Sequence, residues 1–315
     1  MTILVADIGG TNTRVALVSD GTTTARAVAR FRNTEFGSLD SVLRHYLDQQ
    51  GNPDCAAACV AVAGPVRDGV GRMTNLDWQM DGTALCAATG ARAGFVINDL
   101  EAQGHALDDV PTRCLMGEGA APRKAETRLV VGLGTGFNAA PVHGGSGPDT
   151  QVVPSECGHI SLPVWDADSL ALAMALTQAH GFASVEEALS GRGLMAVHRH
   201  VAGAAAHGST EAFIAALNAD GGAAPADLKT IGLFCRILGR VLGDQALIHL
   251  PFGGIYLIGG LARAVSPFFG ASGLYDAFRD KGRFSGFMND FQLFLVEDDY
   301  SALTGCARYV RRQHA

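Results

Sequence analysis

Apolar positions along the chain change their period several times, and each change predicts an element. Residues 3–8 (ILVADI) and 13–19 (TRVALVS) are short apolar runs of the kind a buried sheet needs, with the glycine-rich stretch Gly9–Asn12 between them. RAVARFR (26–32) predicts a third strand. The period then lengthens. Between Ser38 and Gly51, the residues Leu39, Val42, Leu43, Tyr46 and Leu47 share one helical face, with Ser38 placed to cap and Gly51 to stop. AAACVAVAG (56–64) reads as a buried strand, DGTALCAATG (81–90) as a short helix, and GFVIND (94–99) as a strand with a polar end. A helix is expected over 100–108.

After a loop rich in Gly, Pro and Ala (110–124), the pattern restarts. LVVGLGTGFNAAPVHGG (129–145) is again strand, glycine-rich turn, strand, about 125 residues after the first such unit. This predicts two similar α/β halves, each opening with a hairpin whose turn faces a common cleft. Helices are predicted over 168–180, 186–204, 209–219 and 226–249, and GGIYLIGGLA (253–262) as a further buried strand ending in two glycines.

A length of 315 residues suits two domains. The net charge of −7 argues against a nucleic-acid or anionic-membrane surface, because both demand basic clusters. No apolar run reaches the length of a membrane helix, and the first strand begins too early for a signal peptide. The seven cysteines include no CxxC pair and are odd in number, which predicts reduced thiols in a cytoplasmic protein. Lys124, Lys229 and Lys281 are the lysines of the chain, and none follows a glycine-rich loop, so P-loop and protein-kinase chemistry are excluded. GLGTGFN carries Phe137 where a dinucleotide fingerprint needs its third glycine.

Polyphosphate asks for many short donors, close backbone approach and a counter-ion. Glycine gives the approach, having no Cβ to hold the N–H groups away. In DIGGTNTR the N–H groups of Gly9–Asn12 and the Thr11 hydroxyl suit a phosphate, and Asp7 at the strand end suits Mg²⁺ held through water. Gly134, Thr135 and Gly136 offer a second such surface. Gly259 and Gly260 offer a third, where a helix starting after a strand packs against a base or ribose. Each stretch taken singly also reads as a tight turn, and the combination favours phosphate.

DIGGTNTR, VAGPV (62–66), MTNLDW (73–78), INDLEA (97–102), GLGTGFN, PSECGHISLP (154–163), EEALSGRGL (186–194), LIGGLA and FRDKGRF (278–284) occur in this order. Together they resemble the bacterial glucokinases of the actin-like ATPase superfamily. The resemblance implies a two-domain α/β fold of the actin-like ATPase (ribonuclease H-like) class with a ligand cleft between domains. The small domain would comprise residues 1–109 and 300–315, the large one 110–299. It also implies a homodimer that uses ATP and Mg²⁺ to phosphorylate glucose at its 6-hydroxyl. Ala6, Asp7, Ile8, Gly9, Gly10, Thr11 and Asn12 would then form one ATP loop, Gly134–Gly136 another, and Gly259–Gly260 the adenosine loop.

By the same resemblance Asn98, Asp99, Glu156, His159 and Glu186 line the sugar, with Asp99 as general base. Glu186 is preferred to Glu187 because it stands four residues before Ser190. A carboxylate accepts from two neighbouring hydroxyls at once, which suits a neutral polyol. Asp99 also fits a helix cap, Glu186 a first-turn helix carboxylate and His159 a structural histidine. Asn75 suits either a sugar contact or a turn. The alternatives are a kinase for another hexose or amino sugar, and a catalytically weak sugar sensor. The repressor-and-kinase branch is set aside, since its zinc-binding cysteine run is missing and no helix-turn-helix is expected before Met1. Two departures stand out: Asn138 and Cys157 occupy positions where the family usually carries glycine. Asn138 is expected to take up a left-handed turn conformation, and Cys157 to narrow the sugar pocket or make it oxidation-sensitive.

Overall fold

The computed structural model describes residues 2–19, 21–73, 76, 78–117, 123, 125–145, 149–219 and 221–313. Asn75 lies outside the described residues. Contacts divide the chain into two units. One holds Met1–Pro111, Val142–Pro154 and Asp298–Ala315, the other Thr112–Pro141 and Ser155–Glu297.

In the first unit β1 (Thr2–Ile8), β2 (Asn12–Ser19) and β3 (Ala25–Arg32) form an antiparallel meander. α1 (Leu39–Gln49) starts at Ser38, whose side chain accepts from the Ser41 N–H. It leads to β4 (Cys55–Val62), which lies parallel to β1. A small sheet of β5 (Val66–Arg67), β6 (Val70–Arg72) and β7 (Gln79–Asp81) follows; no sequence pattern announced it. α2 (Gly82–Thr89) then runs from the Asp81 cap to Gly90 in the left-handed region. β8 (Ala93–Asn98) is parallel to β4, and α3 spans Asp99–Ala106. The sheet order is β3-β2-β1-β4-β8. Both of its faces are covered, which is why β1 reads as a continuous apolar run. Leu4, Ala6 and Ile8 pack with the α1 residues Val42, Leu43 and Tyr46, while Ile3 and Val5 form a second core on the opposite face.

The expected loop 110–124 contains a strand, β9 (Thr112–Met116). β10 (Arg128–Leu133), β11 (Phe137–His143) and β12 (Gln151–Val152) follow. Residues 142–154, expected within the large domain, group with the first unit: a Cβ on Gly104 of α3 would press on Val142 and Val152. Next come α4 (Ala167–His180), α5 (Gly191–Ala202), α6 (Thr210–Leu217) and α7 (Pro225–His249). The helix expected over 186–204 therefore begins five residues late. Ser190 accepts from the Gly193 N–H and caps it there, leaving Glu186 ahead of the helix. β13 (Ile255–Ile258), α8 (Gly260–Val265), α9 (Leu274–Arg279) and β14 (Leu293–Val296) complete the second unit. The six-stranded sheet runs β12-β11-β10-β13-β14-β9, its strand β12 and the end of β11 being among the residues that group with the first unit, and β9 is antiparallel to β14. Its core is built on α7, where Leu233, Phe234, Ile237, Leu238, Val241 and Leu242 are buried.

α10 (Ser301–Gln313) returns to the first unit and packs on α3 so closely that a Cβ on Gly305 would collide with the Ala102 carbonyl. Among the described residues no helix is long and apolar enough to cross a membrane.

Candidate active site

Parallel register brings three strand ends together in the first unit. Ile8 pairs with Val62, and Val62 with Asn98, so β1, β4 and β8 end side by side. Ligands of α/β sheets bind beyond such carboxyl ends. The turn after β1 is fixed from within: the Gly9 N–H donates to the Asn12 carbonyl at 2.9 Å, and this donor is therefore spent. Asn33, which is buried, donates from Nδ2 to the Gly9 carbonyl at 2.8 Å and accepts from the Thr13 hydroxyl at 2.8 Å. Gly10 and Thr11 remain exposed at the tip. Sequence reasoning missed Asn33, which lies two strands further on, just after β3.

Asp7 faces Arg14 across the hairpin, and Arg14 donates to Asp7 Oδ2 at 3.0 Å. The Arg14 guanidinium sits 5.8 Å from the Tyr300 ring centre. Burial pushes the Asp7 carboxyl above its ordinary value, and the Arg14 charge and hydrogen bond oppose that shift.

At the end of β8 the strand expected over 94–99 stops at Asn98, and Asn98, not Asp99, is the helix cap. Its Oδ1 accepts from the N–H groups of Leu100 at 2.9 Å and Glu101 at 3.4 Å, while its Nδ2 donates to the Gly64 carbonyl at 3.0 Å. Asp99 opens α3, partly exposed, with Oδ1 accepting from the Leu100 N–H at 2.8 Å. A surface groove of about 680 Å³ lined in part by Asp68, Asp81 and Arg92 lies in the same unit and includes none of these residues.

In the second unit the sequence motifs converge on one another. β10 and β13 are parallel, with Gly132 opposite Ile258, so the Gly134–Gly136 turn and the Gly259–Gly260 pair leave neighbouring strand ends. Gly259 has φ +119°, and a Cβ there would meet the Leu133 carbonyl; glycine is required. The Gly191 N–H donates to the Gly134 carbonyl at 2.9 Å. Glu186 Oε2 accepts from the Phe137 N–H at 3.0 Å, Oε1 accepts from Arg192 at 2.7 Å, and its own N–H donates to the Gly158 carbonyl at 2.8 Å. Gly136 and Gly158 leave room for this carboxylate and for the Phe137 carbonyl, respectively.

Glu156 and His159 are exposed, and the loop that carries them is strapped by the Val185 N–H donating to the Ile160 carbonyl. Asn138 lies extended in β11, not in a left-handed turn as expected. Its Oδ1 accepts from the Cys157 N–H at 3.1 Å and its Nδ2 donates to the Ser155 carbonyl. Arg192, like Asn33, went unseen in the sequence; Glu186 precedes the helix that carries Arg192, so no helical spacing pairs the two.

The sequence profile of the Glucokinase family matches residues 4–313. The glucokinase of Caulobacter vibrioides (strain NA1000 / CB15N) is 35% identical over 96% of this chain and 93% of its own length. That of Pectobacterium atrosepticum is 32% identical over 98% and 97%. A solved glucokinase structure from an Antarctic psychrotroph superposes with a TM-score of 0.84 at 30% identity, covering 98% of each chain. The α/β architecture is accordingly that of the actin-like ATPase class of sugar kinases. Matched in sequence and fold along nearly its whole length, the chain belongs to the Glucokinase family.

Proposed function

We propose that this glucokinase transfers the γ-phosphoryl group of ATP to the 6-hydroxyl of D-glucose with Asp99 as general base. The observation that carries the role is the place of Asp99. It opens α3 just beyond the strand end that stands in register with the ends of β1 and β4, and the Leu100 N–H holds one of its oxygens. The bond from O6 to the γ-phosphorus forms as the bond to the bridging oxygen of ADP breaks, and the O6 proton passes to Asp99. The products are glucose 6-phosphate and ADP. Such transfers ask the protein for positioning and charge stabilisation more than for covalent chemistry.

In this reading Asn98, Glu156, His159 and Glu186 bind the sugar hydroxyls. Asn98 does so with the Nδ2 hydrogen not directed at Gly64, and Glu186 from a carboxylate already oriented by Phe137 and Arg192. Gly10, Thr11 and Gly134–Gly136 face the phosphates, and Gly259–Gly260 the adenosine. Ala6, Ile8, Gly9 and Asn12 shape the first turn. The donor set fits Mg²⁺: Asp7 has one oxygen on Arg14, and Mg²⁺ keeps most of its waters and needs few carboxylates. Asp7 would hold the ion through water, and when bound it would neutralise phosphate charge. A homodimer in a reducing cytoplasm belongs to the same proposal, and the free state of all seven cysteines accords with that compartment.

The test is Mg²⁺-ATP phosphorylation of glucose, mannose, fructose, galactose and N-acetylglucosamine, with Asp99→Asn alongside. Turnover should favour glucose, and the variant should lose about 10²–10⁴-fold in kcat while its glucose affinity stays within a few-fold. A variant that retains kcat removes Asp99 from the chemistry.

A further inference from the structure

Apart from these turns, the second unit brings two imidazoles and a carboxylate together. His198 lies in α5, His207 in the segment before α6, and Asp227 in the first turn of α7. One ligand atom of each lies within 4.8 Å of the other two. His198 and Asp227 are buried, and the His207 ring stacks on that of His198 with centres 5.0 Å apart. Phe213 packs against both rings.

Hydrogen bonds assign the tautomer of His198. The Thr230 hydroxyl donates its single proton to the Ala226 carbonyl at 2.8 Å, so it accepts from His198 Nδ1, 3.1 Å away. Nδ1 therefore carries the proton and Nε2 presents a lone pair. That Nε2 is fully buried and has no hydrogen-bond partner, and Asp227 Oδ1 lies 3.8 Å from it. Two acceptors face each other with no proton between them, a costly arrangement in a protein interior. A cation is what the pair lacks. His207 Nε2 lies 3.1 Å from both Asp227 oxygens and offers a third ligand.

We propose that His198, His207 and Asp227 form a binding site for a divalent transition metal of the Zn²⁺ type, with water as fourth ligand. Ligands about 2.0–2.1 Å from a tetrahedral ion stand roughly 3.3 Å apart, and the observed 3.1 and 3.8 Å lie on either side of that spacing. Two imidazoles with one carboxylate suit Zn²⁺ and its neighbours better than Mg²⁺ or Ca²⁺. His207 gives up its Nε2 proton on binding. The Nδ1–H of His198 on Thr230 is the outer hydrogen bond that a metal-bound imidazole needs to hold its orientation. The His207 side chain is 31% exposed, which provides the entry path. The ion would pin α5 to α7, and α5 begins at Gly191, whose N–H holds the Gly134 carbonyl of the second glycine turn. Its role is thus to stiffen that support, separate from the Mg²⁺ that accompanies ATP.

The experiment uses the whole protein, stripped with a chelator and titrated with Co²⁺ and then Zn²⁺. One Co²⁺ per chain should give the visible absorption of a low-coordinate nitrogen–oxygen site, and Zn²⁺ should abolish it. Zn²⁺ should also raise the unfolding midpoint. His207→Gln, at the solvent edge, should keep the far-ultraviolet circular dichroism and weaken Zn²⁺ binding by 100-fold or more, as should Asp227→Asn if it folds. Equal Zn²⁺ uptake by wild type and His207→Gln, or no stoichiometric uptake by wild type, overturns the site and leaves a hydrogen-bonded His207–Asp227 pair.

Discussion

Asn138 and Cys157, the two departures from the resemblance noted in the sequence, touch. Asn138 Oδ1 accepts from the Cys157 N–H and, at 3.4 Å, from its Sγ–H. Two separate departures in the sequence are one contact in the structure, and the contact fixes the loop that carries Glu156 and His159. Asn138→Gly and Cys157→Gly should therefore couple. Each alone should lower stability and raise the glucose KM, and the double variant should fall short of the sum by about 0.5–3 kcal/mol in urea unfolding. Additive effects would deny the coupling. Burial pushes the Cys157 thiol up despite hydrogen bonds that pull it down, so it stays protonated at neutral pH. Iodoacetamide at pH 7.5 should label it slowly by peptide mass spectrometry, with little loss of glucose phosphorylation. Rapid labelling would restore the oxidation-sensitive thiol that the sequence suggested. None of this was legible from the residue types, because the loop partners of Asn138, Ser155 and Cys157, are seventeen and nineteen residues away and meet it through the fold of the loop.

α3 was legible as a helix, and its cap was not. Asn98 and Asp99 are both good capping residues, and only the β8 register decides that Asn98 turns its Oδ1 to the helix. This leaves Asp99 one position further on. The β9–β14 pair was missed for a related reason: TRCLM has a weak strand pattern, and its place comes from pairing with residues far along the chain. The next carboxylate of α3 reports on its packing. Burial pushes Glu101 above its ordinary value, with the Asn98 hydrogen bond and the Arg312 charge opposing. A raised folded-state pKa means that the neutral acid is the form the fold favours. Its stabilisation is full below the ordinary value of about 4.3 and is lost as pH rises through the raised one. Glu101→Gln keeps the neutral shape at every pH. The variant should melt above wild type at pH 7, and the gap should close by pH 4. An equal gap at both pH values would mean that charge burial is not its cause.

At the scale of the molecule the repeated hairpin was the legible feature. The order β3-β2-β1-β4-β8 of one sheet reappears as β12-β11-β10-β13-β14 in the other, with β9 added at the far edge. Less visible was how the first unit is completed. Its second core joins Ile3, Val5, Ala57, Cys59 and Ala61 to Ala302, Leu303, Cys306, Ala307 and Val310 of α10, some three hundred residues later. The resemblance assigned 300–315 to the small domain, but no helix was expected there, and nothing local says which sheet α10 covers. Burying these α10 side chains contributes on the order of 5–10 kcal/mol, comparable with the whole stability of an ordinary domain at about 5–15 kcal/mol. Glycine at 305 is part of that closure, because the Ala102 carbonyl occupies the space of a side chain. Deleting residues 298–315 should therefore remove the first unit's cooperative unfolding while sparing the second, whose core contains none of the deleted residues. Scanning calorimetry of the full chain and the truncated chain decides it. Loss of one transition with the other kept is the expected result, together with loss of glucose phosphorylation, since the proposed metal-holding Asp7 and the proposed base Asp99 both sit on the unfolded unit. Calorimetric traces that match would show that the sheet holds without the helix, and that α10 is an appendage to the fold.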